Sequence, residues 1–222
     1  MIPTLYAASV VPLSDEELYA KAWNVATPKR KEKADRYHFE RDRRLSLGAE
    51  LLLRHALGEA GVIMPDTFLT GEQGKPALPG GSVKFNLSHS GDWVLCAVGE
   101  SEVGCDVEKI GKANLAIANR FFCNSEYEYV ASGENEEEQA LRFARMWTLK
   151  ESYVKNLGQG LKLPFNEFEI TLGSRVTVYR TEDEQKYRFC EFDDIPGYRC
   201  ALCAVEDRCD PSMHMVDLRA VL

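Results

Sequence analysis

Two carboxylates, Asp106 and Glu108, stand two residues apart in the run VGCDVEKI. The run reads as a strand. Both acids then point to one face, and Val103, Cys105 and Val107 point to the other. Neighbouring carboxylates repel unless something neutralises them. A hard cation such as Mg²⁺ does so, because it takes oxygen ligands from carboxylates, phosphates and water. Taken alone, the pair reads equally as a polar strand face open to solvent. A third carboxylate on a facing element would favour the cation, and Glu151 is the candidate.

Glu151 lies in FARMWTLKESYVKNLGQG, residues Phe143 to Gly160, which reads as an amphipathic helix ended by glycine. At about 100° per residue, Phe143, Met146, Trp147, Val154 and Leu157 gather on one side. Lys150 falls inside that apolar arc, Glu151 on its edge, and Lys155 one turn beyond Glu151. By themselves Glu151 and Lys155 form a helical i,i+4 pair worth about 0.2–0.5 kcal/mol. Lys150 either snorkels to water or neutralises the carboxylates, or a ligand, from the buried side.

Three further stretches carry groups suited to anions. In FNLSHSGDW, His89 ends a strand between Ser88 and Ser90, and it either bonds a phosphate or satisfies its own turn. In GKP, Lys75 precedes Pro76 in a turn. Between Lys29 and Arg44, eight basic residues stand against four acids, on a chain whose net charge is −8. Such a run is either a solvated helix face or a local patch for a small anion.

These groups need elements to hold them. TLYAASV reads as a first strand and DEELYAKAWNVA as a helix. Thr27 and Pro28 supply an N-cap and a first helical residue for KRKEKADRY. A helix from about Asp42 to Ala60 follows. VKFNLSH, WVLCAVG and VGCDVEKI read as a three-stranded antiparallel meander. A helix around LAIANRFF, an acidic loop SGENEEEQ, the Phe143–Gly160 helix and strands FEITLG, RVTVYRT, YRFCEF and YRCALCAV complete the chain. Two echoes suggest duplication: VLCAVGE (94–100) with ALCAVED (201–207), and RHALGEAG (54–61) with VKNLGQG (154–160). The expected fold is α+β with two pseudo-symmetric subdomains, residues 1–103 and 104–222. Each would pack a small antiparallel sheet with helices.

Composition sets bounds. The 222 residues are 45% apolar, enough for one large domain or two small ones. The acidic balance of 27 basic against 35 acidic residues argues against a general nucleic-acid binder. No run of about 18 apolar residues suggests a membrane span. The first residues, MIPTLYAASVVPLSDEE, have no basic n-region, so a signal peptide is not expected. The seven cysteines are read as reduced thiols of a cytoplasmic protein. Cys200 and Cys203 fall on a strand, where residues three apart face opposite ways, which makes a poor metal clamp.

Together, GKPALP, FNLSHSGDWVLCAVG, VGCDVE, RFFCNSEY and WTLKESYVKNLGQGLKLP resemble the 4′-phosphopantetheinyl transferases of the larger, Sfp-like type. The resemblance runs from about residue 28 to 165. It implies that coenzyme A lies between two α+β halves, and that Asp106, Glu108 and Glu151 hold Mg²⁺, or Mn²⁺, on its pyrophosphate. It also implies that His89 and Lys155 contact the phosphates, and that Lys75, Pro76 and Ser88 line the nucleotide end. Arg30, Lys33 and Ser46 would meet the 3′-phosphate, with arginine where the family often has lysine.

The implied reaction transfers 4′-phosphopantetheine from coenzyme A to a serine hydroxyl of an acyl, polyketide or peptidyl carrier protein. It releases 3′,5′-ADP, with Glu151, Lys155 and Asp106 in the catalytic roles. Leu115, Ile117, Phe121 and Phe122 form either core or an apolar docking patch for the carrier. A monomer is expected, with no nucleic-acid or membrane partner. The alternatives are a Mg²⁺-dependent phosphodiesterase using the same carboxylates and a non-catalytic coenzyme A-binding protein.

Overall fold

The computed structural model describes residues 1–71, 73–181, 183–206 and 208–222. The first half contains β1 (Thr4–Ser9), α1 (Glu16–Val25), α2 (Pro28–Asp35) and α3 (Glu40–Glu59). It continues with the hairpin β2 (Leu69–Thr70) and β3 (Pro76–Ala77), then β4 (Lys84–Ser90) and β5 (Trp93–Gly99). The second half contains β6 (Val103–Lys109), α4 (Leu115–Phe121), α5 (Asn124–Ala131) and α6 (Glu136–Leu157). It continues with β7 (Glu169–Leu172), β8 (Val176–Tyr179), β9 (Arg188–Phe192), β10 (Tyr198–Ala204) and β11 (Met213–Met215).

Local chemistry sets the helix ends. Thr27 accepts the backbone N–H of Arg30 and Pro28 opens α2. Asn135 accepts the N–H of Glu138, and Glu136, Glu137 and Glu138 occupy the first turn of α6, where the helix dipole favours negative charge. The segment SGENEEEQ is therefore a loop only over Ser132 to Asn135, and Glu136 to Gln139 begin the helix. Gly158, at φ 67°, ends α6 in the left-handed conformation. Helix α5 was not foreseen. Its capping box places Glu126 against the N–H of Cys123.

Among the described residues two larger sheets form, in the orders β11-β1-β5-β4 and β6-β10-β9, beside the two-stranded pairs β2-β3 and β7-β8. Strands β4 and β5 pair antiparallel as expected, but β6 leaves the anticipated meander and pairs antiparallel with β10. The reason is hydrophobic. Val103, Cys105 and Val107 join Leu5, Ala7, Leu95, Ala97 and Leu202 in one buried cluster, so the sheets meet face to face across it. A second cluster lies between the first sheet and α3, where Leu47, Leu52, Leu53 and Leu57 are almost fully buried. Each such leucine contributes about 1.5–3 kcal/mol. A third cluster packs α4, α5 and α6 on the outer face of the second sheet. The layer order is helix, sheet, sheet, helix.

The duplication is visible in three dimensions. In each half a strand is followed by a long helix, a small hairpin and two antiparallel strands, α3-β2-β3-β4-β5 and α6-β7-β8-β9-β10. The VLCAVGE echo falls on β5 and its counterpart on β10, whose last residue, Asp207, lies outside the described residues. RHALGEAG and VKNLGQG both finish a long helix. The C-terminal segment departs from the 103/104 division, because β11 pairs in parallel with β1 and Leu218 packs in the cluster between the first sheet and α3.

Two expectations about cysteine have different outcomes. Cys190 and Cys209 are joined as a disulfide with Cα atoms 6.7 Å apart, which corrects the reading of all seven as thiols. The fold brings β9 beside the segment that leads to β11. Cys200 and Cys203 face opposite cores, as strand alternation requires. No helix is long and apolar enough to cross a membrane among the described residues.

Candidate active site

The two sheets meet at the edges β4 and β6, and side chains cross the seam. Asn86 Oδ1 accepts the N–H of Cys105 at 2.9 Å, Ser88 Oγ donates to Asp106 Oδ1 at 2.8 Å, and Ser90 Oγ donates to Glu108 Oε2 at 2.9 Å. Residues 86, 88 and 90 share one face of β4. They climb β6 in the same direction, so the strands run parallel without a backbone ladder. The turn after Ser90 depends on Gly91, at φ 57°, where any Cβ would strike the Tyr198 ring.

Helix α6 closes the site from the second half. It approaches β6 so closely at Gly104 that a Cβ there would meet the backbone of Ser152 and Asn156. This contact lets the next turn reach the acids. Lys155 Nζ lies 2.6 Å from Asp106 Oδ1, 3.0 Å from Ser88 Oγ and 3.9 Å from Glu151 Oε2. Asp106, Glu108, Glu151, Lys155 and Ser88 are thus brought together by three elements from both halves. Ser88 touches both Asp106 and Lys155.

The electrostatics are those of crowded acids. Burial raises the pKa of Asp106, and Lys155 and Ser88 only partly offset it. Burial also raises Glu108, with the Asp106 charge adding to the rise against the Ser90 hydrogen bond. Glu151 is raised by burial and by both other acids, against Lys155. Burial pulls Lys155 down, but Asp106 outweighs it and holds the ammonium above its ordinary value.

The residues present fit a hard cation. Asp106 Oδ2 is buried with no hydrogen-bond partner among the described residues, an arrangement that costs about 1–3 kcal/mol when nothing satisfies it. No group of three metal-ligating side chains closes on one point among the described residues, and Lys155 stands between Asp106 and Glu151. The donor chemistry, all carboxylate oxygen, is that of Mg²⁺ or Mn²⁺.

A second feature lies along α2 and α3. A cavity of about 440 Å³ is lined by Lys29, Arg30, Lys33, Arg36, Glu50 and Pro76, among others. Arg30 donates through a terminal nitrogen to Ser46 Oγ at 3.3 Å. His89, on the β4 face opposite Ser88, is exposed. Partial burial and the charges of Lys155 and Lys33 lower its pKa.

Two further lysines are held by partners within the protein. Lys75 Nζ donates to Glu102 Oε2, Val103 O and Asn156 O at 2.8, 2.9 and 3.0 Å, tying the β2–β3 hairpin to β6 and to the end of α6. Lys150 neither snorkels nor faces the carboxylate cluster. It is fully buried, 2.7 Å from Glu126 Oε1, and donates to Phe165 O and Phe168 O. Of the apolar quartet on and after α4, Phe122 is core, stacked on Phe143, while Phe121 is 41% exposed beneath the Arg120 guanidinium. Sequence reasoning missed Glu50 and Glu126. Helical periodicity places Glu50 among α3 leucines, which was the available signal.

Comparisons with known proteins show the family. Residues 102–203 match the model of the 4′-phosphopantetheinyl transferase superfamily, and residues 12–101 match that of the 4′-phosphopantetheinyl transferase N-terminal region. The chain is 31% identical over 216 residues to 4′-phosphopantetheinyl transferase Sfp of Bacillus subtilis (strain 168), covering 95% of this chain and 96% of that one. It is 35% identical over 173 residues to 4′-phosphopantetheinyl transferase gsp of Aneurinibacillus migulanus, covering 77% and 72%. It is 32% identical over 162 residues to a human L-aminoadipate-semialdehyde dehydrogenase-phosphopantetheinyl transferase, covering 65% and 52%. Thermotoga maritima holo-[acyl-carrier-protein] synthase aligns with a TM-score of 0.40 at 22% identity, over 49% of this chain and 64% of that one. With similarity of this extent across both halves, the chain belongs to the 4′-phosphopantetheinyl transferase superfamily.

Proposed function

We propose that this transferase moves 4′-phosphopantetheine from coenzyme A to a serine hydroxyl of an acyl, polyketide or peptidyl carrier protein and releases 3′,5′-ADP. The observation that carries this reading is the convergence of Asp106, Glu108, Glu151 and Lys155 at the seam between the halves, beside the basic α2–α3 cavity. The serine Oγ–phosphorus bond forms at the phosphorus that bears pantetheine. The bond from that phosphorus to the bridging oxygen breaks, and ADP takes the electron pair. Such chemistry needs positioning and charge neutralisation more than covalent help.

Lys155, above its ordinary pKa, supplies a fixed positive charge at the pyrophosphate. His89 and Lys33 continue the positive wall toward Arg30 and Ser46, which would hold the 3′-phosphate. Pro76 borders the nucleotide end. Glu151, raised by burial, is suited to take the serine proton directly or through a water. Asp106, Glu108 and Glu151 would hold Mg²⁺, or Mn²⁺, whose charge neutralises the pyrophosphate when bound. The carrier would dock against exposed Phe121 and Arg120 of α4, and the basic residues between Lys29 and Arg44 would steer an acidic partner.

The test is mass spectrometry of purified apo-carriers incubated with the protein and coenzyme A, with and without Mg²⁺. A gain of about 340 Da on the carrier, the mass of the group added to a hydroxyl nucleophile, is the expected result. Cleavage of coenzyme A without carrier modification would instead indicate a phosphodiesterase. Binding without turnover would indicate a non-catalytic module. Glu151→Gln retaining full turnover with metal bound would remove Glu151 as the base.

A further inference from the structure

The duplicated long helices each carry one buried charge at the same place. The echo that ends α3 and α6 aligns Leu57-Gly58 with Leu157-Gly158, and so aligns Glu50 with Lys150. They are 3% and 0% exposed. Each ties its long helix to the short helix before it, with the charge reversed. In the second half, Lys150 meets Glu126, which accepts the N–H of Cys123, the N-cap of α5. In the first half, Glu50 itself accepts the N–H of Thr27, the N-cap of α2, at 2.7 Å and the Thr27 hydroxyl at 2.9 Å.

The first-half clamp goes one step further. Glu50 Oε2 also accepts the Nε–H of Arg30 at 3.0 Å, and Arg30, which lines the basic cavity, donates in turn to the buried Ser46 behind it. A carboxylate beside an anion pocket repels the anion unless its charge is satisfied within the protein. Glu50 has three such donors. Arg30 loses side-chain freedom to this clamp on folding, so little remains to be lost when a ligand binds. Because Ser46 Oγ accepts from Arg30, its own hydroxyl proton remains to be donated.

We propose that Glu50 is a positioning residue that, with Ser46, fixes Arg30 in the wall of the α2–α3 cavity and sets preference for a nucleotide bearing a 3′-phosphate. The proposal rests on the reading of that cavity as the nucleotide end of coenzyme A. Lys29, Lys33 and Arg36 in the same wall are exposed or half-exposed and supply charge. Arg30 is the one fixed by a buried partner.

Calorimetric titration of the full chain with 3′,5′-ADP and with 5′-AMP tests it. In the wild type, 3′,5′-ADP binds more tightly. Glu50→Gln is expected to weaken 3′,5′-ADP about tenfold, while 5′-AMP stays within about twofold. In an Arg30→Ala background, Glu50→Gln should cost no further affinity, which a merely structural role would not produce. Glu50→Asp, which keeps the charge, should restore part of the preference, and thermal melts of each variant confirm folding. Equal weakening of both nucleotides, or additive losses in the Arg30→Ala background, overturns the proposal. A wild type that does not prefer 3′,5′-ADP overturns it too, and with it the reading of the cavity. If transfer to a carrier still occurs in that case, the proposed reaction stands and only the cavity assignment falls.

Discussion

Lys155 of α6 and Asp106 of β6 form an ion pair of 2.6 Å that joins the long helix of the second half to the strand at the seam. The pair uses Oδ1 of Asp106 and leaves Oδ2 buried without a hydrogen-bond partner among the described residues. The site is therefore half neutralised by the protein itself, and the remaining acid charge is what a cation and a pyrophosphate would meet.

Removing Lys155 should hurt twice. Lys155→Met leaves a buried carboxylate unpaired and strips positive charge from the pyrophosphate. Turnover should fall by about 10²–10³, the size of loss seen for one electrostatic donor at a transition state. Single-turnover mass spectrometry of carrier modification, at saturating coenzyme A, reads the chemical step directly.

Glu151→Gln should abolish most turnover yet stabilise the metal-free protein at neutral pH. The sign follows from linkage. A carboxyl whose folded pKa is raised, as Glu151's is, favours the protonated folded state, so its contribution is lost as pH climbs from the ordinary carboxylate range through the raised value. The variant should melt about 2 °C higher at pH 7 without metal, as expected for roughly 0.5–1 kcal/mol of relieved repulsion. The gain should vanish at pH 3.5 and when Mg²⁺ is added. Melting curves at the two pH values check it.

Gly104→Ala should push α6 off β6, because the new methyl meets helix backbone and not a flexible side chain. We expect a loss of about 2–3 kcal/mol in urea unfolding, typical of overpacking. A fall in kcat larger than any change in coenzyme A affinity should accompany it, since Lys155 and Glu151 move with the helix.

Lys150→Met should destabilise the fold by about 3–5 kcal/mol, because Glu126 is left charged and buried. Pairing it with Glu126→Gln should recover part of that loss. Additive losses in a double-mutant cycle by chemical unfolding would show that the two side chains act independently.

The sequence by itself determined what is local or periodic. Side-chain alternation put Asp106 and Glu108 on one strand face and sent Cys200 and Cys203 to opposite ones. Helical winding made Lys150 inward and Glu151 marginal. Caps such as Thr27-Pro28 and Gly158 marked helix ends, and short echoes revealed the duplicated halves. The partners were decided only in three dimensions. That β6 leaves its neighbour β5 for β10, that Lys150 finds Glu126, that Lys75 braces the end of α6, that Glu50 holds Arg30, and that Cys190 meets Cys209 all join residues distant along the chain. Spacing fixes which way a side chain points from its own backbone. What it meets depends on which apolar faces pack together, and here the packing of two sheets face to face made that choice.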